Sequence, residues 1–225
     1  MIISHRLKLI FICNGKTGTT SLEAALNTFN DVDDINGGML GLYDNKHMPA
    51  VIAKSLLPAS IWNTYFKFAI VRNPYSWFIS NFEHNFRSRL SLKKVIRHPM
   101  LAHKMISREL ESRIHRNKRV ITTEDVEFFH HYLRQYRALP LMKTLYQHSY
   151  VHDMDGNNLL DFVGKIESLD IALAHIQKCI GYNFTIPHIN RTIQGNKRKV
   201  LDDSARIRVQ ELWRRDFDSF EYSID

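Results

Sequence analysis

Apolar residues fall into two kinds of pattern along this chain. Two runs are continuous: LKLIFIC, which predicts a strand over 8–13, and FKFAIVR, which begins at Phe66 and ends at Arg72. Short β-branched and aromatic runs of this kind suit strands covered on both faces of a parallel sheet. Other segments have helical spacing. Leu22, Ala25, Leu26 and Phe29 recur at i, i+3, i+4 and i+7, headed by a capping-box pattern of Thr20 and Glu23. After the second strand, Asn73 is placed as an N-cap and Pro74 as the first helical residue, with the helix continuing through Trp77, Phe78 and Phe82. Strand, short loop and helix therefore occur twice in the same order. That order predicts an α/β layered fold with a mostly parallel sheet, whose ligands sit at the carboxyl ends of the strands.

The stretch from about 83 to 146 is basic, helical and poor in strand signals, with a helix expected from Thr123 to Arg137. Beyond it, DMDG at 153–156 reads as a turn, LLDFVGKIESL as a strand and turn, and Ile171 to Ile180 as an amphipathic helix ended by Gly181. A last helical segment runs from Asp202 to Asp216. Composition adds a charge argument: the 225 residues carry a formal net charge of +8, which favours an anionic partner. The two cysteines, Cys13 and Cys179, supply neither a disulfide framework nor a zinc site. No apolar run approaches the roughly 18 residues of a membrane span, and the N-terminal apolar segment is too short for a signal peptide. The expectation is a cytoplasmic protein, whether or not it sits at a membrane surface.

GKTGTTS, between the first strand and its helix, is the first candidate site. Gly15 and Gly18 permit tight curvature, Lys16 brings a mobile charge, and Thr17, Thr19, Thr20 and Ser21 bring hydroxyls to a helix N-terminus suited to an anion. The nucleoside-triphosphate loop GxxxxGK[ST] does not fit, because its first glycine would fall on Ile10 inside the strand. At the second strand end, Arg72 offers a fork of donors suited to phosphate. Ser80, two helical turns beyond Asn73, lies on the same face. Taken singly, Arg72 and Ser80 read equally as a solvated strand-end charge and a helix-surface hydroxyl.

FICNGKTGTTSLEAAL resembles the 5′-phosphosulfate loop of sulfotransferases that use 3′-phosphoadenosine 5′-phosphosulfate (PAPS), and FAIVRNPYSWFISNF resembles their 3′-phosphate element. DFVGKIESL, PHINRT and RRDFDSFEYS are similar to further stretches of the carbohydrate branch of that family. Gly15 stands where a proline is usual, and Ser21 where small-molecule sulfotransferases have tryptophan; both departures fit the carbohydrate branch. The resemblance implies an α/β, P-loop-like three-layer fold in one domain spanning 1–225, with 83–146 as a helical, acceptor-side insertion. It also implies PAPS as co-substrate, no metal, and a carbohydrate or glycolipid acceptor. Lys16 and the loop from Gly15 to Ser21 would hold the 5′-phosphate, Arg72 and Ser80 the 3′-phosphate, and Arg191 and Lys197 would fold over the nucleotide.

A general base is still needed, and histidine suits it because its pKa lies near the working pH. His47, in DNKHMPA, occupies a position where this branch often carries a histidine; a surface histidine at a helix start is the plain alternative. His84 is the reserve, with neighbouring Glu83 behind it. His148 and His152 are four apart but lack an acidic or thiol partner nearby in sequence, so no metal is expected. Lys197, Arg198 and Lys199 read equally as a solvated loop. Lys93, Lys94, Arg97, Arg113, Arg116, Lys118 and Arg119 read as an exposed helix face or as an anionic-acceptor site. Two other classes compete. A nucleotide-dependent kinase would require magnesium and ATP. A polyanion-binding module would bind with steep salt dependence, but no nucleic-acid motif is present and no nucleic-acid partner is expected.

Overall fold

The structure is a computed structural model that describes residues 1–31, 47–87, 115, 118–136, 146–186 and 199–224. Six strands lie among the described residues: β1 (Ile2–Ser4), β2 (Leu9–Ile12), β3 (Phe66–Val71), β4 (Val120–Ile121), β5 (Phe162–Lys165) and β6 (Val200–Leu201). The main sheet has the order β1-β2-β3-β5. β2, β3 and β5 are parallel, with Ile12 beside Ala69 and Ile70 beside Gly164. β1 pairs antiparallel to β2, with Ile3 opposite Ile10. Three residues are too few to show a period of their own, and the sequence pattern did not separate β1 from the run that follows.

The parallel strands alternate between two cores. Ile10, Ile12, Ala69 and Val71 face Ala50 and Ala53 of α2 (Ala50–Leu56), Trp62 of α3 (Ala59–Thr64) and Tyr150. Leu9, Phe11, Phe68 and Ile70 face Leu22 and Leu26 of α1 (Thr19–Leu26) and the helix Leu169–Ile180, with the Phe11 and Phe68 rings stacked at 4.8 Å. Helices thus cover both faces of a mostly parallel sheet, the architecture expected from the two strand-loop-helix units. The helix at 171–180 begins two residues earlier than expected and ends as expected at Gly181, whose φ is 65°.

A third core is almost wholly helical. α4 (Pro74–Arg87) packs Trp77, Phe78 and Phe82 against Phe129 of α5 (Thr123–Tyr136), Val209 of the helix Asp203–Leu212, and Trp213 and Phe217 beside it. The described part of the 83–146 stretch is therefore integrated into the main body. Residues 83–87 are the last turns of α4, and α5 contributes buried Val126, Phe129 and Leu133. β4 is an element the sequence pattern did not predict, since two residues show no alternation; it pairs parallel with β6, Ile121 beside Leu201. Among the described residues no helix is long and apolar enough to cross a membrane.

Gly164 shows why one motif glycine is required. A Cβ there would lie 2.7 Å from Ala172 Cβ and 2.9 Å from Ile70 Cδ1, so the helix over β5 sits at glycine distance from the strand. Gly164→Ala is expected to cost about 1–3 kcal/mol through overpacking, read as a lower urea midpoint with an unchanged slope.

Candidate active site

Parallel pairing brings the two candidate loops together. Ile12 lies beside Ala69, and continuing that register by three residues sets Gly15 level with Arg72. The observed contacts agree: Arg72 Nη1 donates to the Lys16 carbonyl at 3.3 Å, and Trp77 Nε1 donates to the Gly15 carbonyl at 2.8 Å. The first loop is thus braced by the residue that ends the second strand and by the helix that follows it.

The loop itself turns through two left-handed residues, Lys16 at φ 68° and Gly18 at φ 76°. Thr17 between them is buried, and its hydroxyl donates to the Asn14 carbonyl at 2.8 Å, so that hydroxyl is engaged within the loop itself. The capping box expected at Thr20 does not form. The turn at Gly18 starts the helix two residues earlier; Gly18 takes the N-cap in place of Thr20 and no side chain caps α1. Ser21 N–H already donates to the Gly18 carbonyl at 3.2 Å, so the backbone N–H groups before it are the ones without a helical acceptor, as at any helix start suited to an anion. Thr19 is buried, Ser21 half-buried and Thr20 exposed. Ile166 closes one side, its Cδ1 2.6 Å from where a Gly18 Cβ would stand.

At the second strand end the expected helix start is present. Asn73 Oδ1 accepts from the N–H of Tyr75 at 3.1 Å and of Ser76 at 3.3 Å, and Pro74 is the first helical residue. Trp77 points the same helix face at the loop. Ser80, half-buried, follows one turn later on that face, roughly 4.5 Å further along the axis. His84, exposed, is another turn beyond.

Four residues not singled out from sequence hold this arrangement. Gln147 is buried, and its side chain pairs with Arg72 as a strand would, accepting from Arg72 N–H at 2.8 Å and donating to the Arg72 carbonyl at 2.7 Å. The same Gln147 oxygen accepts from Asn14 Nδ2 at 3.2 Å. Asp216 is fully buried and receives the N–H groups of Gln147 and His148, at 2.9 and 2.8 Å, capping α6 (His148–Val151). Glu167 accepts from Asn73 N–H at 2.8 Å and from the Tyr222 hydroxyl at 2.8 Å. Burial and the Glu167 carboxylate push the Tyr222 hydroxyl pKa up, which keeps it a donor. The segments 161–169 and 214–223 therefore brace the Arg72 end of the site. Their spacing carried no local signal, because each partner lies dozens of residues away.

His47 sits against the loop. Its Nδ1 lies 2.9 Å from the Cys13 carbonyl, an acceptor only, so Nδ1 carries the proton and Nε2 the lone pair in the neutral ring. Its Cε1 comes within 3.8 Å of a Gly15 Cβ position. Burial pushes the Cys13 thiol up to about 12, so it stays protonated and is no nucleophile.

Other expectations change. Lys199 is not a solvated charge: it is buried, donating to the carbonyls of His115 and Lys118, and desolvation lowers its pKa. Lys118 pairs with buried Asp125 at 2.8 Å. His148 does have an acidic partner, Asp216 Oδ1 at 2.7 Å, supplied from 68 residues away. Arg191, Lys197, Arg198, the PHINRT segment, Lys93, Lys94, Arg97, Arg113 and Arg116 lie outside the described residues.

A strand-end loop of small residues is thus joined to a second, arginine-bearing strand end in an α/β fold. The model of the sulfotransferase family matches residues 1–223, and the chain belongs to that family. No curated protein and no solved structure matches it. Its chemistry is accordingly sulfuryl transfer.

Gly18→Ala is expected to destabilise the fold by about 1–3 kcal/mol through the left-handed backbone and the Ile166 contact. Adding Ile166→Val should return only the contact part, which a double-mutant cycle of urea denaturation resolves.

Proposed function

We propose that this chain moves a sulfuryl group from PAPS to a hydroxyl of a carbohydrate or glycolipid-type acceptor. One observation carries the reading: a single side chain, Arg72, spans from the end of β3 to the backbone of the Lys16 loop. Two anion-binding ends that close together suit a nucleotide phosphorylated at both 5′ and 3′ positions. The family supports the donor, and Gly15 and Ser21 support the carbohydrate branch. The match over nearly the whole chain supports one domain. We read the protein as acting in the cytoplasm or at a membrane surface.

In this mechanism Lys16, the loop N–H groups and the hydroxyls of Thr19 and Thr20 hold the 5′-phosphate. Charge grows there as the bond between sulfur and the bridging phosphate oxygen breaks. Arg72 and Ser80 hold the 3′-phosphate, joined by Arg191 and Lys197. His47 Nε2 takes the acceptor hydroxyl proton while the new sulfur–oxygen bond forms, its ring held in that tautomer by the Cys13 carbonyl. The leaving group is 3′-phosphoadenosine 5′-phosphate, and no metal takes part.

Calorimetric titration with 3′-phosphoadenosine 5′-phosphate, AMP, ADP and ATP tests the donor. The bisphosphate should bind tightest, Lys16→Ala should weaken every nucleotide, and Arg72→Ala should remove about tenfold or more of the bisphosphate's advantage over AMP. Equal affinity of the wild type for AMP and the bisphosphate would overturn the reading; tightest binding of ATP with magnesium would favour a kinase. His47→Ala should leave bisphosphate affinity unchanged and lower turnover on a sugar acceptor by about 10²–10⁴-fold. Full turnover in that variant would move the base to His84.

A further inference from the structure

We propose that Gln147 is a positioning residue that sets the separation of the two phosphate-binding ends. The inference rests on the donor reading above and adds to it. One carboxamide bonds both backbone groups of Arg72 and also Asn14, the residue just before the phosphate loop. Its orientation is forced. Arg72 N–H needs the oxygen and the Arg72 carbonyl needs the NH₂, so the oxygen also faces Asn14, and Asn14 must turn its own NH₂ inward.

That orientation has a consequence. Among the described residues, no hydrogen-bond partner reaches the buried Asn14 Oδ1. A network built only for stability would satisfy this acceptor; one that leaves it open while fixing a distance follows the pattern of functional sites, where a local rule gives way to geometry. Gln147 is itself anchored: Asp216 receives its N–H, and that carboxylate also holds His148 Nδ1 at 2.7 Å. The buried Asp216 thus fixes Gln147, and Gln147 fixes the spacing of the loop and the arginine.

A positioning role makes a claim that a packing role does not. A ligand gripped at both ends depends on the spacing, whereas a ligand gripped at one end does not. Gln147→Met preserves volume and removes all three hydrogen bonds. It should lower the ratio of bisphosphate to AMP affinity about tenfold, with AMP affinity changed far less. Gln147→Glu keeps the bonds accepted from Arg72 and Asn14 but sets a carboxylate oxygen against the Arg72 carbonyl. Protonation restores a donor there, so its ratio should recover toward wild type as pH falls from about 7 to 5, burial raising the new carboxyl's pKa. Asp216, His148, Tyr146 and Arg72 surround this position, so each ratio is compared with wild type at the same pH.

If the wild type does not prefer the bisphosphate, the donor reading fails. If the wild type prefers it and Gln147→Met keeps the same ratio, the positioning proposal fails alone. Loss of the folded circular-dichroism signal in both variants would make Gln147 a structural residue only, and would also overturn the proposal.

Discussion

Two parallel strands that run in register must release their chains at the same edge of the sheet. With Ile12 beside Ala69, the backbones leaving β2 and β3 emerge level with each other. Each must then turn over the edge into a helix, as βα units do. Every feature of the site follows from that shared exit. The loop after β2 is small because α1 begins at once; the arginine after β3 reaches the loop because it has nowhere farther to go. A slip of two residues in this pairing would keep all the same side chains facing the same cores, yet it would move Arg72 by about 7 Å relative to the loop and separate the two ends.

The curvature of the loop after β2 has a structural cost, and the fold meets it from outside the loop. Lys16 sits in a left-handed conformation that a lysine adopts only under constraint. The constraint is visible: Trp77 and Arg72 donate to the carbonyls of Gly15 and Lys16, and Thr17 ties back to Asn14. Trp77 is itself fixed by the aromatic core, its ring 6.4 Å from Trp213. The helical third core is therefore part of the site's support. Packing there sets the position of an indole N–H, which in turn sets the curvature of the loop.

What could be read from the sequence divides along a physical line. Buried strands, the Asn73 cap, the Pro74 start and the Gly181 stop are local features, each encoded within a few residues, and each appears where the pattern puts it. The Thr20 capping box was also local and still failed, because a left-handed Gly18 overrode the propensity of the residues after it. Gln147, Glu167, Asp216 and Tyr222 left no local trace of what they do. Their partners are 55 to 133 residues distant, and nothing in a stretch such as YQHSY marks a carboxamide that will mimic a strand. Lys199 shows the same limit from the other side. Within a run of three basic residues it reads as solvated, but tertiary structure gives it two backbone carbonyls and removes it from water.

The closing segment shows why a signature can be recognisable before its physical meaning is. Asp216, Phe217, Phe220 and Tyr222 act at four places: the cap of α6, the helical core, the core under the sheet, and the Glu167 carboxylate behind Asn73. Two of these are polar bonds that end on residues touching the two strand exits. A chain whose last turns clamp its first βα units folds back on its own start, through contacts of long sequence separation. The site is therefore complete only when the C-terminal segment has docked. Loss of either polar anchor should then loosen the Arg72 end and with it the Arg72 bond to the Lys16 carbonyl, leaving Trp77 and Thr17 to hold the loop.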